Sequence, residues 1–152
     1  MIDSESSSAP VSAICAVRRL TPMIHVADVE RSVDFYARLG FAPGNVMRDH
    51  SGRACWSGMG DGEARIMFAA ASTPVVPEDQ AVILYLHVRD VAALRAHLLA
   101  NGLHDGGQYT GCGALNNGRS VVFEVTRPDY MQSGELRVAD PDGYCLLIGQ
   151  LE

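Results

Sequence analysis

The sequence reads HVADV at residues 25–29 and, 62 residues later, HVRDV at residues 87–91. Each copy follows a mostly apolar run and precedes apolar residues at helical spacing. The aspartate of each copy can cap a helix, because its carboxylate accepts hydrogen bonds from the free amides of a first helical turn. A glycine stands twelve residues past each aspartate, at Gly40 and Gly102, and can end the helix in a left-handed conformation. The repeat therefore predicts two copies of a strand followed by a helix.

Short strands joined by tight turns follow each predicted helix. Gly60-Asp61-Gly62 in the first copy and Asp140-Pro141-Asp142-Gly143 in the second are turn sequences between strand-like segments. The sequence therefore predicts two β-α-β-β-β modules, at about residues 18–72 and 80–151. Together they form one α+β domain, residues 18–152, with a curved, cup-shaped sheet of eight strands and the helices outside. The mouth of such a cup is where a ligand pocket is expected.

The second module is longer than the first. Equating Gly62 with Gly143 leaves 19 extra residues in it, within the Gly- and Asn-rich insert 103–133. A loop of this length is more often functional or mobile than idle. Tyr130 and Met131 end the insert and could close over the cup. The Ser-rich residues 1–17 are expected to form a flexible tail.

Composition limits the classes of partner and the location. The 152 residues carry 12 Arg, no Lys and 18 acidic residues, a net charge of −6. This balance disfavours a nucleic-acid groove or an anionic membrane surface and favours a cationic or neutral ligand. No apolar stretch is long enough to span a membrane, and the start lacks the features of a signal peptide, so a cytoplasmic location is expected. The four widely spaced cysteines are then expected to be reduced thiols.

Three segments resemble the vicinal-oxygen-chelate superfamily: LTPMIHVADVERSVDFYARLGF at 20–41, LYLHVRDV at 84–91 and GELRVADPDG at 134–143. That superfamily includes glyoxalase I, extradiol dioxygenases, fosfomycin-modifying enzymes and bleomycin-resistance proteins. The resemblance covers about residues 18–151 and implies the cup-shaped fold predicted above. It is less specific for chemistry, because the same frame carries isomerases, transferases, oxygenases and plain binding proteins.

The resemblance also implies where a metal would be bound. In the metalloenzymes of the superfamily, ligands stand seven residues before each capping aspartate and four after each turn glycine. Those positions are occupied here by Thr21, Ile83, Ile66 and Leu147. Because the three aliphatic side chains offer no donor atom and Thr21 alone would be a poor ligand, no metal or other cofactor is expected.

The chain resembles instead the metal-free, bleomycin-resistance-like branch, whose members bind a drug or small molecule in the cup and often dimerise. This resemblance implies a homodimer that binds a small organic molecule, such as an antibiotic, without a metal. Whether binding ends in sequestration or in a reaction stays open. Strand alternation, with Trp56 and Glu135 added as possible ligand contacts, predicts the following cup lining: Thr21, Met23, His25, Trp56, Ile66, Phe68, Ile83, Tyr85, His87, Glu135 and Leu147.

Several of these residues have alternative interpretations. His25 and His87 are either polar contacts to a ligand or histidines at strand ends that bond to nearby backbone. Trp56 either stacks on a planar ligand or belongs to the core. Glu135 stands where the bleomycin-resistance-like branch commonly has a glutamate, and it shares a strand face with Arg137, as an ion pair or a ligand contact.

The sequence leaves three other functions open. A metal-dependent enzyme of glyoxalase, lyase or dioxygenase type would need atypical ligands such as His25, His87 and Glu135. A nucleophilic Cys145 would need one of the two histidines beside it. A protein-interaction module would instead have a cup filled by its own side chains.

Overall fold

The computed structural model describes residues 17–111 and 119–152. The expected tail, apart from Val17, lies outside this part of the chain, as do Cys15, Cys112 and residues 112–118 of the insert. The described strands are β1 (Met23–Val26), β2 (Val46–Arg48), β3 (Ala54–Asp61), β4 (Ala64–Ala70), β5 (Ile83–Val88), β6 (His104–Asp105), β7 (Val121–Val122), β8 (Glu135–Ala139) and β9 (Cys145–Gln150). The helices are α1 (Val29–Arg38) and α2 (Val91–Ala100), with one 3-10 turn at Pro77–Asp79.

Both helices begin and end where the repeat predicts. Asp28 accepts a hydrogen bond from the backbone amide of Arg31 at 3.0 Å, and the equivalent aspartate of α2 accepts one from Ala93 at 2.9 Å. Gly40 and Gly102 have φ values of +94° and +88°. A side chain is strained in that conformation, so glycine is the natural residue just past each helix. The predicted helix caps are confirmed.

The strands form two sheets with the same internal order. The first is β1-β4-β3-β2 and the second is β5-β9-β8-β7-β6. In each, the strand before the helix pairs in parallel with the last strand of the module. The α+β class and the two modules are confirmed. Within the described residues no strand pairing joins the two sheets, and the short β6, drawn from the insert, adds an edge strand to the second.

The core lies between each sheet and its helix. Ile24 and Val26 of β1 are buried, whereas Met23 and His25, on the other face, are exposed. Tyr36 of α1 has no exposed surface. The buried residues of the second module that play the same part are Leu84, Val91, Leu98, Leu136, Leu146 and Ile148. We call the face of each sheet opposite its helix the open face.

The register of β4 differs from the prediction by one residue. Met67, not Ile66, is the Cα partner of Met23, and Phe68 pairs with Ile24. Because paired residues of neighbouring strands point to the same face, Ile66 and Phe68 face the helix. They are 2% and 0% exposed. The prediction that both share the open face with Met23 is wrong.

The register of β4 differs from the prediction because the β3–β4 and β8–β9 hairpins have turns of different length. Residues 62–63 join β3 to β4, whereas residues 140–144 join β8 to β9. Gly62 and Gly143 therefore do not occupy equivalent positions, and a comparison that equates them is one residue out of register. A shift of one residue exchanges the two faces of a strand.

The turn at residues 140–144 belongs to the second module and contacts the first. The carboxylate of Asp142, which is 3% exposed, accepts the backbone N–H of Ala27 at 3.0 Å and binds the Arg31 guanidinium at 2.5 Å. The hydroxyl of Tyr144 donates to the backbone carbonyl of His25 at 2.9 Å. Residues more than a hundred positions apart are thereby held together, so the second module fixes the end of β1.

Candidate functional site

The open face of the second sheet is built from three rows of paired residues. Ile83, Tyr85 and His87 are exposed and alternate along β5 with buried or half-buried residues, and Ile83 and Tyr85 are 54% and 41% exposed. Their Cα partners on β9 and then β8 lie on the same face, because pairing preserves the side of the sheet. These partners are Cys145, Leu147 and Gly149 on β9, and Ala139, Arg137 and Glu135 on β8. The structure thus brings five predicted lining residues together, namely Ile83, Tyr85, His87, Glu135 and Leu147.

Glu135 lies at the centre of a cluster with two tyrosines. The hydroxyl of Tyr85 donates to its Oε2 atom and the hydroxyl of Tyr130 to its Oε1 atom, both at 3.0 Å. Glu135 is 5% exposed, whereas Tyr130 is 70% exposed. Burial, followed by the neighbouring carboxylate, raises the pKa of Tyr85, and the hydrogen bond to Glu135 raises the pKa of Tyr130. Both phenols therefore remain neutral donors at physiological pH.

Tyr130 is positioned by the end of the insert. Arg127 holds this segment by donating to the backbone carbonyls of Gln132 and Ser133. Next to it, the side chain of Met131 lies so close to Gly149 that a Cβ there would be 2.7 Å from the methionine methyl group. Gly149 therefore provides the space in which the insert packs onto β9. Tyr130 and Met131 thus contact the open face of the second sheet, at Glu135 and Gly149 respectively.

Arg137 points away from Glu135 along the same face. Its guanidinium donates to Cys145 Sγ at 3.0 Å and stacks on the ring of Tyr109 at 4.0 Å. Burial raises the pKa of the Cys145 thiol despite the nearby positive charge, so the thiol stays protonated and a poor nucleophile. Arg137 forms no ion pair with Glu135. Sequence patterns gave no signal for Tyr109, since this stacking depends on how the insert folds back.

A cleft of about 560 Å³ lies between the two sheets, beside the edge strand β5 and the segment before β1. This volume falls within the range of roughly 300–1,000 Å³ typical of pockets for drug-sized ligands. Four predicted lining residues border it: Ile66, Ile83, Tyr85 and His87. Ile66 lines the cleft from the helix-facing side of β4. Thr21, half-buried, lies between two further residues of the cleft wall, Leu20 and Pro22.

The open face of the first sheet carries the remaining predicted residues. Trp56 pairs with Ala69, which pairs with His25, so all three lie on one face. The Trp56 ring is half-buried and packs over Gly58, where a Cβ would lie 3.0 Å from it. Met23, 58% exposed, lies beside Met67 on the same face. Phe68 does not belong here, because its ring packs against Tyr36 at 4.9 Å in the core.

The residues at the implied metal positions do not fit a divalent metal. The observed register replaces Ile66 by Met67 as the equivalent of Leu147, and Met67 still lacks the hard donor of the metalloenzymes. Across residues 17–111 and 119–152, no three His, Cys, Asp or Glu side chains group closely enough to hold a metal ion. His25, His87 and Glu135 therefore do not form the atypical ligand set that a metal-dependent enzyme would need.

The geometry defines a protein of two β-α-β-β-β modules with an exposed, mostly apolar face next to a cleft. Residues 18–148 match the family model described as "Glyoxalase/Bleomycin resistance protein/Dioxygenase superfamily". The chain belongs to this superfamily. No curated protein matches the sequence. No helix in the described part of the chain is long and apolar enough to cross a membrane.

Solved structures of the same fold include bleomycin-binding, bleomycin resistance and antibiotic-binding proteins. One is the bleomycin-binding protein of bleomycin-producing Streptomyces verticillus, complexed with copper(II)-bleomycin, at 21% identity and a TM-score of 0.62 over 90% of this chain and 100% of that one. Another is a bleomycin resistance determinant encoded on the transposon Tn5, at 24% identity and a TM-score of 0.63 over 90% and 99%. A third is TnmS3, an antibiotic-binding protein from Streptomyces sp. CB03234, at 22% identity and a TM-score of 0.56 over 90% and 98%. At these identities the likeness establishes the fold.

Proposed function

We propose that this protein binds a small organic molecule of the antibiotic type, without a metal ion, in the cleft between its sheets and on the adjoining open face. The observation that carries the proposal is the exposure of large apolar and aromatic side chains at this cleft. Ile83 and Tyr85 border it, and Met23 lies nearby on β1. Exposed apolar surface next to a cleft of drug-like volume is typical of a ligand site.

Two further observations support the proposal. The superfamily includes bleomycin resistance proteins by name, and proteins of the same fold have been solved with bleomycin bound or are described as antibiotic-binding. The positions that hold metal in the metalloenzymes are filled here by Thr21, Met67, Ile83 and Leu147, a set without the histidine and carboxylate donors that a divalent metal needs.

The test is a titration of chelator-treated protein with metal-free bleomycin, copper(II)-bleomycin and a panel of aromatic antibiotics, followed by thermal unfolding and calorimetry. We expect at least one compound to stabilise the protein, by about 2.7 kcal/mol at a hundred times its dissociation constant. For a compound that does not itself chelate metal, binding should not change when divalent metal is added. If no compound raises the melting temperature, the cleft is not a ligand site and the protein-interaction alternative gains support.

A matched pair of variants locates the site. Ile83→Glu places a charge in the cleft wall and should abolish binding, whereas Val46→Glu, on an exposed strand position outside the cleft, should not. Both residues are substantially exposed, so neither change should unfold the protein. Equal loss of binding in both variants would contradict the assignment of the cleft.

We also propose that the protein is a cytoplasmic homodimer. The dimer rests on the resemblance to the bleomycin-resistance-like branch, and the location is supported by the free thiols of Cys55 and Cys145 in the described residues. Sedimentation equilibrium should give twice the chain mass of 16.3 kDa. A monomer at micromolar concentration would overturn the proposed dimer.

A further inference from the structure

Glu135 is a buried carboxylate that accepts its side-chain hydrogen bonds from neutral groups. Its two oxygens accept hydrogen bonds from Tyr85 and Tyr130, and it is 5% exposed. None of the ion pairs among residues 17–111 and 119–152 includes it. A buried charge is costly unless it is paired with an opposite charge, and two phenol hydroxyls compensate only part of that cost. The site therefore has an unmet requirement for positive charge.

The carboxylate also has free capacity to accept hydrogen bonds. An ionised carboxylate offers about four lone-pair directions, and the two tyrosines use two of them. The aromatic rings of Tyr85 and Tyr130 stand beside the carboxylate, and the faces of such rings attract cations. A carboxylate flanked by aromatic rings is well suited to a positively charged nitrogen group.

The nearest basic residue on the strand does not fill this role. Arg137 stands two residues from Glu135, but its guanidinium is engaged by the Cys145 thiol and the Tyr109 ring. Cys145 pairs with Ala139, so the guanidinium extends toward the turn end of β8, away from Glu135. The two charges on this strand are separated rather than paired.

We infer that Glu135 is the subsite for a positively charged nitrogen group of the ligand, so that the ligand is an organic cation with an apolar or aromatic body. This inference rests on the proposed function, since it assigns the chemistry of the same open face. The apolar body lies against Ile83 and Leu147, and the cation reaches Glu135 between Tyr85 and Tyr130. The net charge of −6 favours the approach of a cation over that of an anion.

Binding exchanges one hydrogen bond for a stronger one. Tyr130 is 70% exposed, and its hydroxyl covers Oε1 of Glu135. The ammonium-type group replaces that hydroxyl, so a neutral donor gives way to a charge-assisted hydrogen bond. Tyr85 stays in place on Oε2 because it belongs to β5.

The experiment compares three probes that share a naphthylmethyl body: 1-naphthylmethylamine, 1-naphthalenemethanol and 1-naphthaleneacetate. Their dissociation constants are measured by calorimetry at low ionic strength, with the full chain. We expect the amine to bind at least about tenfold more tightly than the alcohol, and the acetate to bind most weakly. Added salt should weaken binding of the amine and leave that of the alcohol unchanged.

Three variants test the assignment of the charge. Glu135→Gln keeps the size of the side chain and should reduce the amine-to-alcohol ratio to about one. Tyr130→Phe keeps the ring and should retain the preference for the amine. Glu124→Gln removes an equal charge from an exposed residue of the same module and serves as the control. If Glu135→Gln does not fold, the 13C carboxyl signal of Glu135 in the unchanged protein should still shift with the amine and not with the alcohol.

Each failure has its own meaning. Equal binding of the three probes would overturn the inference and leave the proposed function standing. A preference for the amine that persists in Glu135→Gln would place the cation elsewhere and likewise overturn it. If none of the probes binds at millimolar concentration, the inference is overturned, whereas the proposed function is decided by its own titration with antibiotics.

Discussion

Asp140 shows how burial can change the chemistry of a residue. Its carboxyl group has no exposed surface and lies in the turn between β8 and β9, where it accepts the backbone amides of Asp142 and Tyr144. Burial raises its pKa to about 7, although those two amides lower it. The sequence marks this residue only as part of a turn.

Stability should therefore depend on pH through Asp140. Since folding raises its pKa from an ordinary value of 3.8 to about 7, the folded protein retains a proton in this interval that the unfolded chain has released. Its contribution to stability is complete below pH 4 and is lost as the pH rises through 7, at up to about 1.4 kcal/mol per pH unit. Asp140→Asn should remove this slope.

Urea unfolding at pH 4.5, 5.5 and 6.5 gives the free energy of unfolding of the unchanged protein and of Asp140→Asn. The effect of Asp140 is the first value minus the second. This difference should fall as the pH rises. Asp34→Asn, on the exposed side of α1, is the control and should give a constant difference. Parallel pH profiles for the unchanged protein and Asp140→Asn would contradict the expectation.

At the scale of the element, β4 decides which side chains reach the open face. Its pairing with β1 places Phe68 in the core and Met67 on the opposite face. In β1 and β5 the repeated histidines His25 and His87 mark one face, and the residues two positions before them share that face. β4 is apolar at consecutive positions from Ile66 to Phe68, so alternation does not fix its face.

Two substitutions on neighbouring positions of β4 test this register. Phe68→Ala should lower the free energy of unfolding by about 3–5 kcal/mol, because it leaves a cavity beneath Tyr36. Met67→Ala, half-buried on the open face, should cost well under half of that. Chemical denaturation of both variants gives the comparison, and the reverse order of the two losses would mean that the register is shifted.

On the scale of the whole molecule, the modules are joined by the turn at residues 140–144. Tyr36 of α1 donates to Asp140 at 3.3 Å, in addition to the contacts of Asp142 and Tyr144 with the end of β1. Each module has one helix to cover one face of its sheet. The buried apolar residues of both modules form one connected core, so the protein should unfold as one unit.

The ion pair between Arg31 and Asp142 should couple the modules measurably. Asp142→Ala leaves the backbone amide of Ala27 without its acceptor. It should lower the free energy of unfolding by about 2–3 kcal/mol. Arg31→Ala should cost less, since the Arg31 side chain is 42% exposed. In a double-mutant cycle we expect a coupling of about 1 kcal/mol. Additive losses, or two separate unfolding transitions in Asp142→Ala, would contradict a joint core.

The sequence by itself determined the two modules, their order, both helix caps and the membership of the superfamily. These features depend on short-range patterns, namely an aspartate before a helix, a glycine after it and the repeated histidine near the end of β1 and β5. The absence of metal donors at Thr21, Ile83 and Leu147 could also be read from residue identity.

Only the tertiary structure decided the register of β4 and the partners of Glu135. The face of Ile66 and Phe68 depends on the length of a turn and on pairing with a distant strand. The contact of Glu135 with Tyr85 joins residues 50 positions apart, and its contact with Tyr130 depends on how the insert folds back. Such contacts are set by packing of the whole chain, and no local pattern records them.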